Sequence, residues 1–396
     1  MSKIILHCDL DAFFCRAEEI KNPSLEGKAF LVGGDGRKGI VSTCSYEARK
    51  YGVHSGMPTF QAKMLCKDII ILGVDFKYYN LLSREFIFFL KKYSSKIEQV
   101  SVDECFLDLS DYYSHSGQKI DDILLEIQRD LFKKTQLKVS IGVGTTKFIA
   151  KMASDYKKPM GITIIRNKDI ERMLFPLPVK SFFGIGKKTA PKLKEIGIDT
   201  IGDLYNHIKN QDYKLFNLIG ENYCQDIINL LEGKSSDVVS TQIHDPKSIG
   251  MSRTLDFDTN DVSIIKKMLK YQIKEVTNSL VAENKFAKTI SLVYKDASHE
   301  DNFKAKSFSK TFDNYTQNAD YIEKETIKLF DSTYDGHIIR LIGFTLKNFK
   351  NKKEVATQMN FYDCEQYEKE DKTYKILNIL NSEMHKKVFK KLSDLE

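Results

Sequence analysis

Four carboxylates stand in two pairs, where predicted strands end or turn. Asp9 and Asp11 follow a short apolar run, and Asp103 and Glu104 lie at the apex of a predicted hairpin. If the two elements are neighbours in one sheet, the acids converge, and converging carboxylates repel each other and resist burial. A hard divalent cation relieves that repulsion, and Mg²⁺ prefers carboxylates, waters and substrate phosphates. Two such ions can activate a hydroxyl and stabilise the leaving oxygen of a phosphoryl transfer.

Each acidic pair taken alone is also typical of an ordinary turn, because turns are rich in aspartate. The presence of both pairs beside buried apolar strands favours the metal site. Other site chemistries are not indicated by the sequence. The eight histidines form no HExxH motif, and the seven cysteines are odd in number and form no CxxC motif. A histidine-based metal or nucleophile site, a zinc ribbon and a disulfide framework are therefore disfavoured.

The elements that must position the acids alternate along the first part of the chain. A strand over 4–8 precedes the first pair, and the hairpin 97–110 carries the second. The spacing of apolar residues predicts helices over 120–135 and 146–157, with a strand over 137–144 between them. This order indicates an α+β core built on an antiparallel sheet.

A long aromatic-rich helix is predicted over 78–95, before the hairpin. Its expected apolar side consists of Tyr78, Leu81, Leu82, Phe86, Phe89 and Leu90. Beyond the core, residues 170–232 have the pattern of short helices separated by glycines. Residues 233–247 are polar and rich in serine, which predicts a linker. Residues 248–350 return to strands and helices and predict a last α/β domain.

The composition fits a globular protein of several domains. A length of 396 residues suggests about two to four domains. Hydrophobic residues make up 42% of the chain, which excludes general disorder. Since no apolar run approaches the ~20 residues of a membrane helix and no signal peptide is recognised, we expect a cytoplasmic protein without a membrane partner. The net charge of +7, with a slightly acidic tail over 354–396, is compatible with a nucleic-acid partner but does not identify one.

Four longer motifs follow one another along the chain. They are HCDLDAFF (7–14), STCSYEARKYGVHSGMP (42–58), SVDECFLDLS (101–110) and SIGVGTTKFIAKMASDYKKPMGI (140–162). Together they resemble the successive signatures of Y-family translesion DNA polymerases, most closely the DinB or DNA polymerase IV type. The resemblance covers almost the whole chain. It implies template-directed DNA synthesis of low fidelity in translesion synthesis and damage tolerance, with no appended exonuclease.

The resemblance also implies a multidomain α+β fold, the right-hand polymerase. Its parts would be a palm with an antiparallel sheet and helices, fingers, a helical thumb with a helix-hairpin-helix, and an α/β little finger that binds DNA. The implied boundaries are 1–12 and 74–167 for the palm, 13–73 for the fingers, 168–232 for the thumb, 233–247 for a linker, 248–350 for the little finger and 351–396 for a C-terminal tail.

By the resemblance, Asp9, Asp103 and Glu104 are the catalytic carboxylates and bind two Mg²⁺ ions in each active site. The backbone carbonyl of Leu10 would complete one of the metal sites. Asp11 would be a structural neighbour rather than a main ligand.

The resemblance assigns Tyr46, Arg49 and Lys158 to the β- and γ-phosphates of the incoming dNTP. Arg49 can bind a phosphate through two parallel hydrogen bonds, and Lys158 acts as a point charge. From the residues alone, a surface ion pair of Arg49 with Glu47 or another acid is an equally good interpretation.

The aromatic pair Phe13 and Phe14 adjoins the implied nucleotide site. We expect Phe13 to pack in the core beside this site. Phe14 matches the steric gate of the family, a flat ring below the sugar that leaves no room for a 2′-hydroxyl group. Replacing Phe14 with alanine or valine is therefore expected to raise ribonucleotide incorporation.

A glycine-rich turn, FGIGKKTA (183–190), indicates contact with DNA. Gly184 and Gly186 let backbone N–H groups approach a phosphate, and Lys187 and Lys188 add positive charge. The pattern resembles a helix-hairpin-helix, which binds phosphates without reading sequence. Residues 248–261 resemble the first strand of the family's little finger.

The tail contains a peptide that resembles the one with which related polymerases dock on the sliding clamp, the β subunit. The implied contacts are made by Gln358, Met359, Phe361 and Tyr362. Aromatic anchors and an amide are the chemistry of such docking, although short motifs often match by chance. The match is imperfect, because Phe361 and Tyr362 replace the common aliphatic and Phe positions, and about thirty residues follow.

Three functions compete at this point. The first is a monomeric DNA polymerase that uses primer–template DNA, dNTPs and the clamp. The second is an adaptor that binds DNA and the clamp but has lost catalysis, which the retention of all the implied catalytic residues disfavours. The third is another two-metal nucleotidyl-transfer enzyme, such as a nucleotide cyclase, which the helix-hairpin-helix and the clamp-like peptide disfavour.

Overall fold

The chain divides into two compact units, a first unit up to residue 243 and a second unit from residue 244. The computed structural model describes residues 3–235, 238–242, 245–297 and 305–354. In this part of the chain no helix combines the length and the apolar character needed to cross a membrane.

The first unit is built from eight strands and twelve α-helices among its described residues. The strands are β1 Ile5–Leu10, β2 Phe30–Gly33, β3 Val41–Cys44, β4 Ile70–Leu72, β5 Ile97–Gln99, β6 Glu104–Asp108, β7 Val139–Gly144 and β8 Ile162–Ile164. The helices are α1 Phe13–Lys21, α2 Tyr46–Lys50, α3 Thr59–Leu65, α4 Phe76–Leu90, α5 Ser110–Ser116, α6 Ile120–Thr135, α7 Lys147–Tyr156, α8 Ile170–Leu174, α9 Thr189–Glu195, α10 Ile201–Lys209, α11 Tyr213–Ile219 and α12 Glu221–Leu231.

The central sheet of this unit has the strand order β5-β6-β1-β7-β8. Its strands are antiparallel, as the sequence predicts, except for β7 and β8, which run parallel. The middle strand β1 is buried along its whole length because both faces of the sheet are covered. Leu6 and Cys8 face a core shared with α1, α4 and α6. Ile5 packs on Ala150 of α7, on the opposite face.

The predicted helix over 78–95 is observed as α4, two residues earlier at its start and five earlier at its end. Its buried stripe contains Tyr79, Leu82, Phe86, Phe89 and Leu90. The assignment of Leu81 to the apolar side was wrong, because this side chain is 53% exposed. At ~100° per residue, Leu81 lies roughly 140° from the centre of the buried stripe.

A second, smaller sheet has the strand order β3-β2-β4. Leu31 and Val41 from this sheet form a core with Ala48 of α2 and Ala62 of α3. Ser45 caps α2, because its side-chain oxygen accepts a hydrogen bond from the Ala48 N–H. This cap fixes where the helix that carries Tyr46 and Arg49 begins.

The helices α8 to α12 share a core with α7. Thr200 begins α10 with a capping box, in which its hydroxyl oxygen accepts from the Asp203 N–H and the Asp203 carboxylate accepts from the Thr200 N–H. The predicted glycine-rich turn leads into α9. Gly184 has φ +107°, and a Cβ at this position would lie 2.7 Å from the Tyr223 hydroxyl oxygen, so only glycine fits.

The second unit consists of β9 Ser248–Thr259, α13 Val262–Ala282, β10 Lys285–Asp296, β11 Ala305–Thr316, α14 Ala319–Thr333 and β12 Ile339–Asn351. The strand order is β11-β10-β12-β9, and every neighbouring pair is antiparallel. The elements follow in the order β-α-β-β-α-β among the described residues rather than in strict alternation, and β12 lies between β9 and β10, the strands that α13 connects. Because all its neighbouring strands are antiparallel, this unit has an α+β architecture rather than the α/β architecture of a sheet with parallel neighbours.

Candidate active site

The antiparallel pairing of β1 with β6 places Asp9 directly opposite Glu104. Residues opposite each other on neighbouring strands have their side chains on the same face of the sheet. One ligand atom from each of these carboxylates and one from His7 lie within 4.8 Å of one another, which is close enough to share a metal ion. The register of two strands thus joins acids that are 95 positions apart in the sequence.

Two lysines from the α7 region stand against these carboxylates. The Lys151 Nζ lies 3.2 Å from Asp9 Oδ2 and 3.0 Å from Glu104 Oε1. The Lys158 Nζ lies 2.7 Å from the same oxygen of Asp9 and 2.9 Å from Asp155 Oδ1. The ammonium groups therefore provide the positive charge that the converging acids require.

The two carboxylates differ in how easily they lose a proton. Burial raises the pKa of Asp9, against the opposing attraction of Lys158 and Lys151. The pKa of Glu104 lies well below its usual range, because the imidazole of His7 and the ammonium of Lys151 stabilise its ionised form. The His7 ring is itself fixed by Ser154, whose Oγ lies 2.7 Å from Nδ1.

Asp103 lines the same cavity but lies outside the group of three. Its Oδ1 accepts a hydrogen bond from the Ser101 hydroxyl at 2.6 Å. Its backbone carbonyl accepts from the Leu10 N–H at 3.0 Å, which ties the hairpin turn to the end of β1. Leu10 also lines the cavity. The structure therefore brings Asp9 and Glu104 together directly and places the Asp103 carboxylate beside them.

Asp11 is buried and fully occupied by structural hydrogen bonds. Its Oδ1 accepts from the hydroxyls of Ser140 at 2.8 Å and Tyr46 at 3.3 Å. Its Oδ2 accepts from the Met160 N–H at 2.8 Å. A carboxylate with these partners connects β1, β7 and α2, and this geometry fits the expectation of a structural neighbour.

Tyr46 and Arg49 lie on one side of α2 and line the cavity. The Arg49 guanidinium lies 4.8 Å from the centre of the Tyr46 ring, and its Nε donates to the Cys44 carbonyl. The alternative of an ion pair is not observed, because no carboxylate of the described residues pairs with Arg49. Burial, followed by the nearby Asp11 charge, raises the pKa of the Tyr46 hydroxyl to about 12.

An aromatic cluster of Phe14, Tyr79 and Phe76, here named the aromatic wall, adjoins the cavity through Phe14. Ala12 adopts a left-handed conformation, φ 44°, where α1 begins. Phe13 is buried in the core, as expected, while Phe14 lines the cavity. The Phe14 ring stacks on Tyr79 at 4.4 Å with an angle of 15° between the planes, and Phe76 meets it edge-on.

The cavity that the acids and Phe14 line has a volume of about 280 Å³. Every residue predicted for metal and nucleotide contact lines it, namely Asp9, Leu10, Phe13, Phe14, Tyr46, Arg49, Asp103, Glu104 and Lys158. The arrangement combines carboxylates for a cation, cationic groups for phosphates and a flat apolar surface for a sugar or base.

Sequence reasoning missed Lys151, His7 and Tyr79. Lys151 lies one helical turn before Asp155, and this spacing could have placed the two side chains on one face of α7. The alternation of β1 places His7 on the same face as Asp9, which is also legible in the sequence. No local pattern indicates that Tyr79 stacks on Phe14, because the two residues belong to different helices.

In the turn predicted to contact DNA, Ile185 is buried. The four residues predicted to make the contact are exposed, namely Gly184, Gly186, Lys187 and Lys188. The predicted clamp peptide, Gln358, Met359, Phe361 and Tyr362, lies outside the described residues.

Family comparisons agree along the chain. Residues 8–155 match the impB/mucB/samB family, residues 246–361 match its C-terminal domain, and residues 167–198 match the HHH motif of the same family. DNA polymerase IV of Oceanobacillus iheyensis is 34% identical over 93% of this chain and 87% of its own length. DNA polymerase IV 1 of Bacillus subtilis is 33% identical over 100% of this chain and 94% of its own.

Solved structures show the same fold. A Y-family DNA polymerase chimera of Dbh and Dpo4 aligns with a TM-score of 0.75 and 28% identity, over 88% of this chain and 100% of that one. An insertion ternary complex of Dbh DNA polymerase aligns with a TM-score of 0.58 and 28% identity over the same shares.

A right-hand α+β fold with this cavity defines a DNA-directed DNA polymerase of the low-fidelity, translesion class. The chain belongs to the Y-family of DNA polymerases, in its DinB or DNA polymerase IV branch. Neither an inactive adaptor nor a nucleotide cyclase is supported by these relatives.

Proposed function

We propose that this polymerase adds dNTPs to a primer in the cavity between Asp9, Glu104 and Phe14. The observation that supports this most strongly is the strand register that sets Asp9 opposite Glu104, in a cavity that Phe14 also lines. A related protein was solved as an insertion ternary complex, which supports primer–template DNA and a nucleotide as the ligands here.

The carboxylates of Asp9, Asp103 and Glu104, here named the acidic wall, fit a hard divalent cation. Carboxylate oxygens are the ligands that Mg²⁺ prefers, and the ammonium groups of Lys151 and Lys158 already occupy positions where positive charge is stabilised. We assign two Mg²⁺ ions to Asp9, Asp103, Glu104 and the Leu10 carbonyl. When bound, the ions supply positive charge to the reacting phosphates and to the primer hydroxyl.

The chain's own cations would then bind the triphosphate. Arg49 has no carboxylate partner among the described residues, so its guanidinium is available for a β- or γ-phosphate. Lys158 has to exchange its contact with Asp9 for a phosphate. The Tyr46 hydroxyl donates to Asp11 Oδ1 at 3.3 Å in this structure and would have to exchange this contact to donate to a phosphate. Phe14 would lie under the deoxyribose and exclude a 2′-hydroxyl group.

The remaining assignments rest on the sequence motifs. We propose that Gly184, Gly186, Lys187 and Lys188 bind DNA phosphates, and that the palm, fingers, thumb, linker, little finger and tail have the boundaries given above. We also propose that the protein acts as a monomer in the cytoplasm. Light scattering during gel filtration measures the mass in solution, which should equal the 45.6 kDa of one chain.

Docking on the sliding clamp is proposed for residues 358–362. Deletion of this peptide should reduce clamp-stimulated synthesis and leave basal synthesis unchanged, as measured by primer extension with and without the clamp. Equal loss of both activities would contradict the assignment.

Primer extension tests the central proposal. The purified chain with Mg²⁺ and dNTPs should extend a primer on an undamaged template and past a lesion. The double variant Asp103→Ala/Glu104→Ala should lose both activities while its circular dichroism spectrum stays unchanged. Retention of extension by this folded variant would overturn the placement of the active site.

A further inference from the structure

The face of α4 that points away from the core carries apolar and basic side chains in one stripe. Leu81, Arg84, Phe88 and Lys91 follow one another at spacings of three or four residues, so they share a face of the helix. Phe88 is 67% exposed and Leu81 is 53% exposed. Phe88 therefore presents a flat aromatic ring to solvent, between the basic residues Arg84 and Lys91 on the same face.

A cavity of about 750 Å³ lies beside Phe88, between α4 and the end of α6. Its lysines are Lys91, Lys92, Lys133 and Lys134, and the Lys134 Nζ lies 5.5 Å from the centre of the Phe88 ring. The acid of this cavity, Asp130, is already paired with Arg129 at 3.2 Å and Lys92 at 4.0 Å.

The charge of this surface is predominantly positive, because Arg84 and four lysines lie beside only two acids, Glu85 and Asp130. Among the described residues, no carboxylate lies within ion-pair distance of Lys91, Lys133 or Lys134. The lysines at the end of α6 also lie where the helix dipole favours positive charge, so their position is stable without a carboxylate. A ligand with repeated negative charge would complement this surface.

We propose that the Phe88 surface, defined as Arg84, Phe88, Lys91, Lys133 and Lys134, binds single-stranded DNA. Binding sites for single strands combine an exposed aromatic ring, on which a base stacks, with cations along the backbone. Protein–protein interfaces are instead poor in lysine, so the composition of this surface favours the nucleic acid.

The surface is separate from the catalytic cavity. Phe88 is nine residues beyond Tyr79 in α4, about 14 Å along the helix axis, and on the opposite side of the helix from the buried stripe. A strand bound here lies outside the catalytic cavity, and the minimal overhang used in the test separates it from the template strand in the active site.

The test uses the full chain saturated with a hairpin primer–template of minimal overhang, so that the active site is filled. A fluorescein-labelled oligothymidylate of about sixteen nucleotides is then titrated and its anisotropy measured. Phe88→Ala should weaken binding roughly fivefold or more, because it removes a stacking surface. Phe88→Tyr should bind like the wild type, because it keeps the ring.

The charge of the surface is tested by Lys133→Ala/Lys134→Ala. Its affinity should depend less steeply on salt, with the slope reduced by about 0.7 for each lost phosphate contact. The matched control Lys119→Ala/Lys168→Ala also removes two exposed lysines from the first unit and should keep the wild-type slope.

Two results would overturn the proposal. In the first, the hairpin-saturated wild type does not bind the oligonucleotide. In the second, Phe88→Leu binds the oligonucleotide as tightly as the wild type, which would show that no base stacks on the Phe88 ring. Extension of the hairpin primer by each variant shows that the active site is folded.

Discussion

The acidic wall and the aromatic wall of the same cavity are held by different kinds of interaction. Asp9 and Glu104 are held by the ammonium groups of Lys151 and Lys158, at distances of 2.7 to 3.2 Å. Phe14 is held by ring stacking on Tyr79, with no charge involved.

The difference shows which part of the site is formed in advance. The ion pairs of the acidic wall can be exchanged. A metal ion can replace a lysine beside the carboxylates, and a phosphate can replace a carboxylate beside a lysine, because the charges have the same sign in each exchange. The aromatic wall cannot exchange its partners, since stacking and core packing already fix it. Binding of metal ions and triphosphate would therefore rearrange the acidic wall and leave the aromatic wall unchanged.

The largest effect is expected from the acidic wall. Asp9→Asn keeps the shape of the side chain but removes the charge that a metal ion requires. We expect primer extension to fall by on the order of 10³-fold in single-turnover rate, with an unchanged unfolding temperature. Rapid-quench extension and thermal unfolding measure the two quantities.

A matched control lies in the second unit. Glu325 is also a buried carboxylate held by two lysines, with Lys328 Nζ at 2.8 Å and Lys310 Nζ at 2.5 Å. Glu325→Gln should keep the wild-type extension rate. If both variants lose the rate equally, the acidic wall has no special role and the comparison fails.

The aromatic wall is tested by Phe14→Val. Removal of the flat ring should raise ribonucleotide incorporation relative to deoxynucleotide incorporation by about 100-fold, the scale at which a pocket rejects an added hydroxyl group. Single-nucleotide insertion with dCTP and CTP measures the ratio. Phe13→Leu, a change in the core beside it, should leave the ratio near that of the wild type; an unchanged ratio in Phe14→Val would refute the gate.

A smaller effect on nucleotide insertion is expected from Arg49, a charged residue that lines the cavity. Arg49→Ala should raise KM for the dNTP roughly tenfold, because a charge-assisted hydrogen bond to a phosphate is lost. The rate at saturating dNTP should change less than KM. Arg49→Lys should restore part of the affinity, and a pure loss of kcat would argue against phosphate binding.

The smallest effect is expected from the hydroxyl behind the aromatic wall. The Tyr79 hydroxyl donates to Glu18 Oε1 at 2.7 Å, and Tyr79→Phe removes this bond while keeping the ring that stacks on Phe14. The free energy of unfolding should fall by about 1 kcal/mol in urea titration. Sugar discrimination should not change, and a large change would show that the aromatic wall depends on polar contacts as well.

Much of the fold can be predicted from local spacing. The helix over 120–135 is observed as α6 with the predicted bounds, because its apolar residues recur with the helical period. The short strands β4 and β8 were not predicted, since three residues carry too little pattern. Leu81 was misplaced because it lies roughly 140° from the centre of the buried stripe, whereas its neighbour Leu82 lies within the stripe.

The sequence by itself determined the polymerase family and the positions of the acids at strand ends, because motifs and strand periodicity are local properties of the chain. Only the tertiary structure decided that Lys151 and Lys158 pair with Asp9, that Asp103 turns to Ser101, and that Tyr79 stacks on Phe14. Most of these contacts join residues of separate elements, and their geometry depends on strand register and helix packing, which no local pattern encodes.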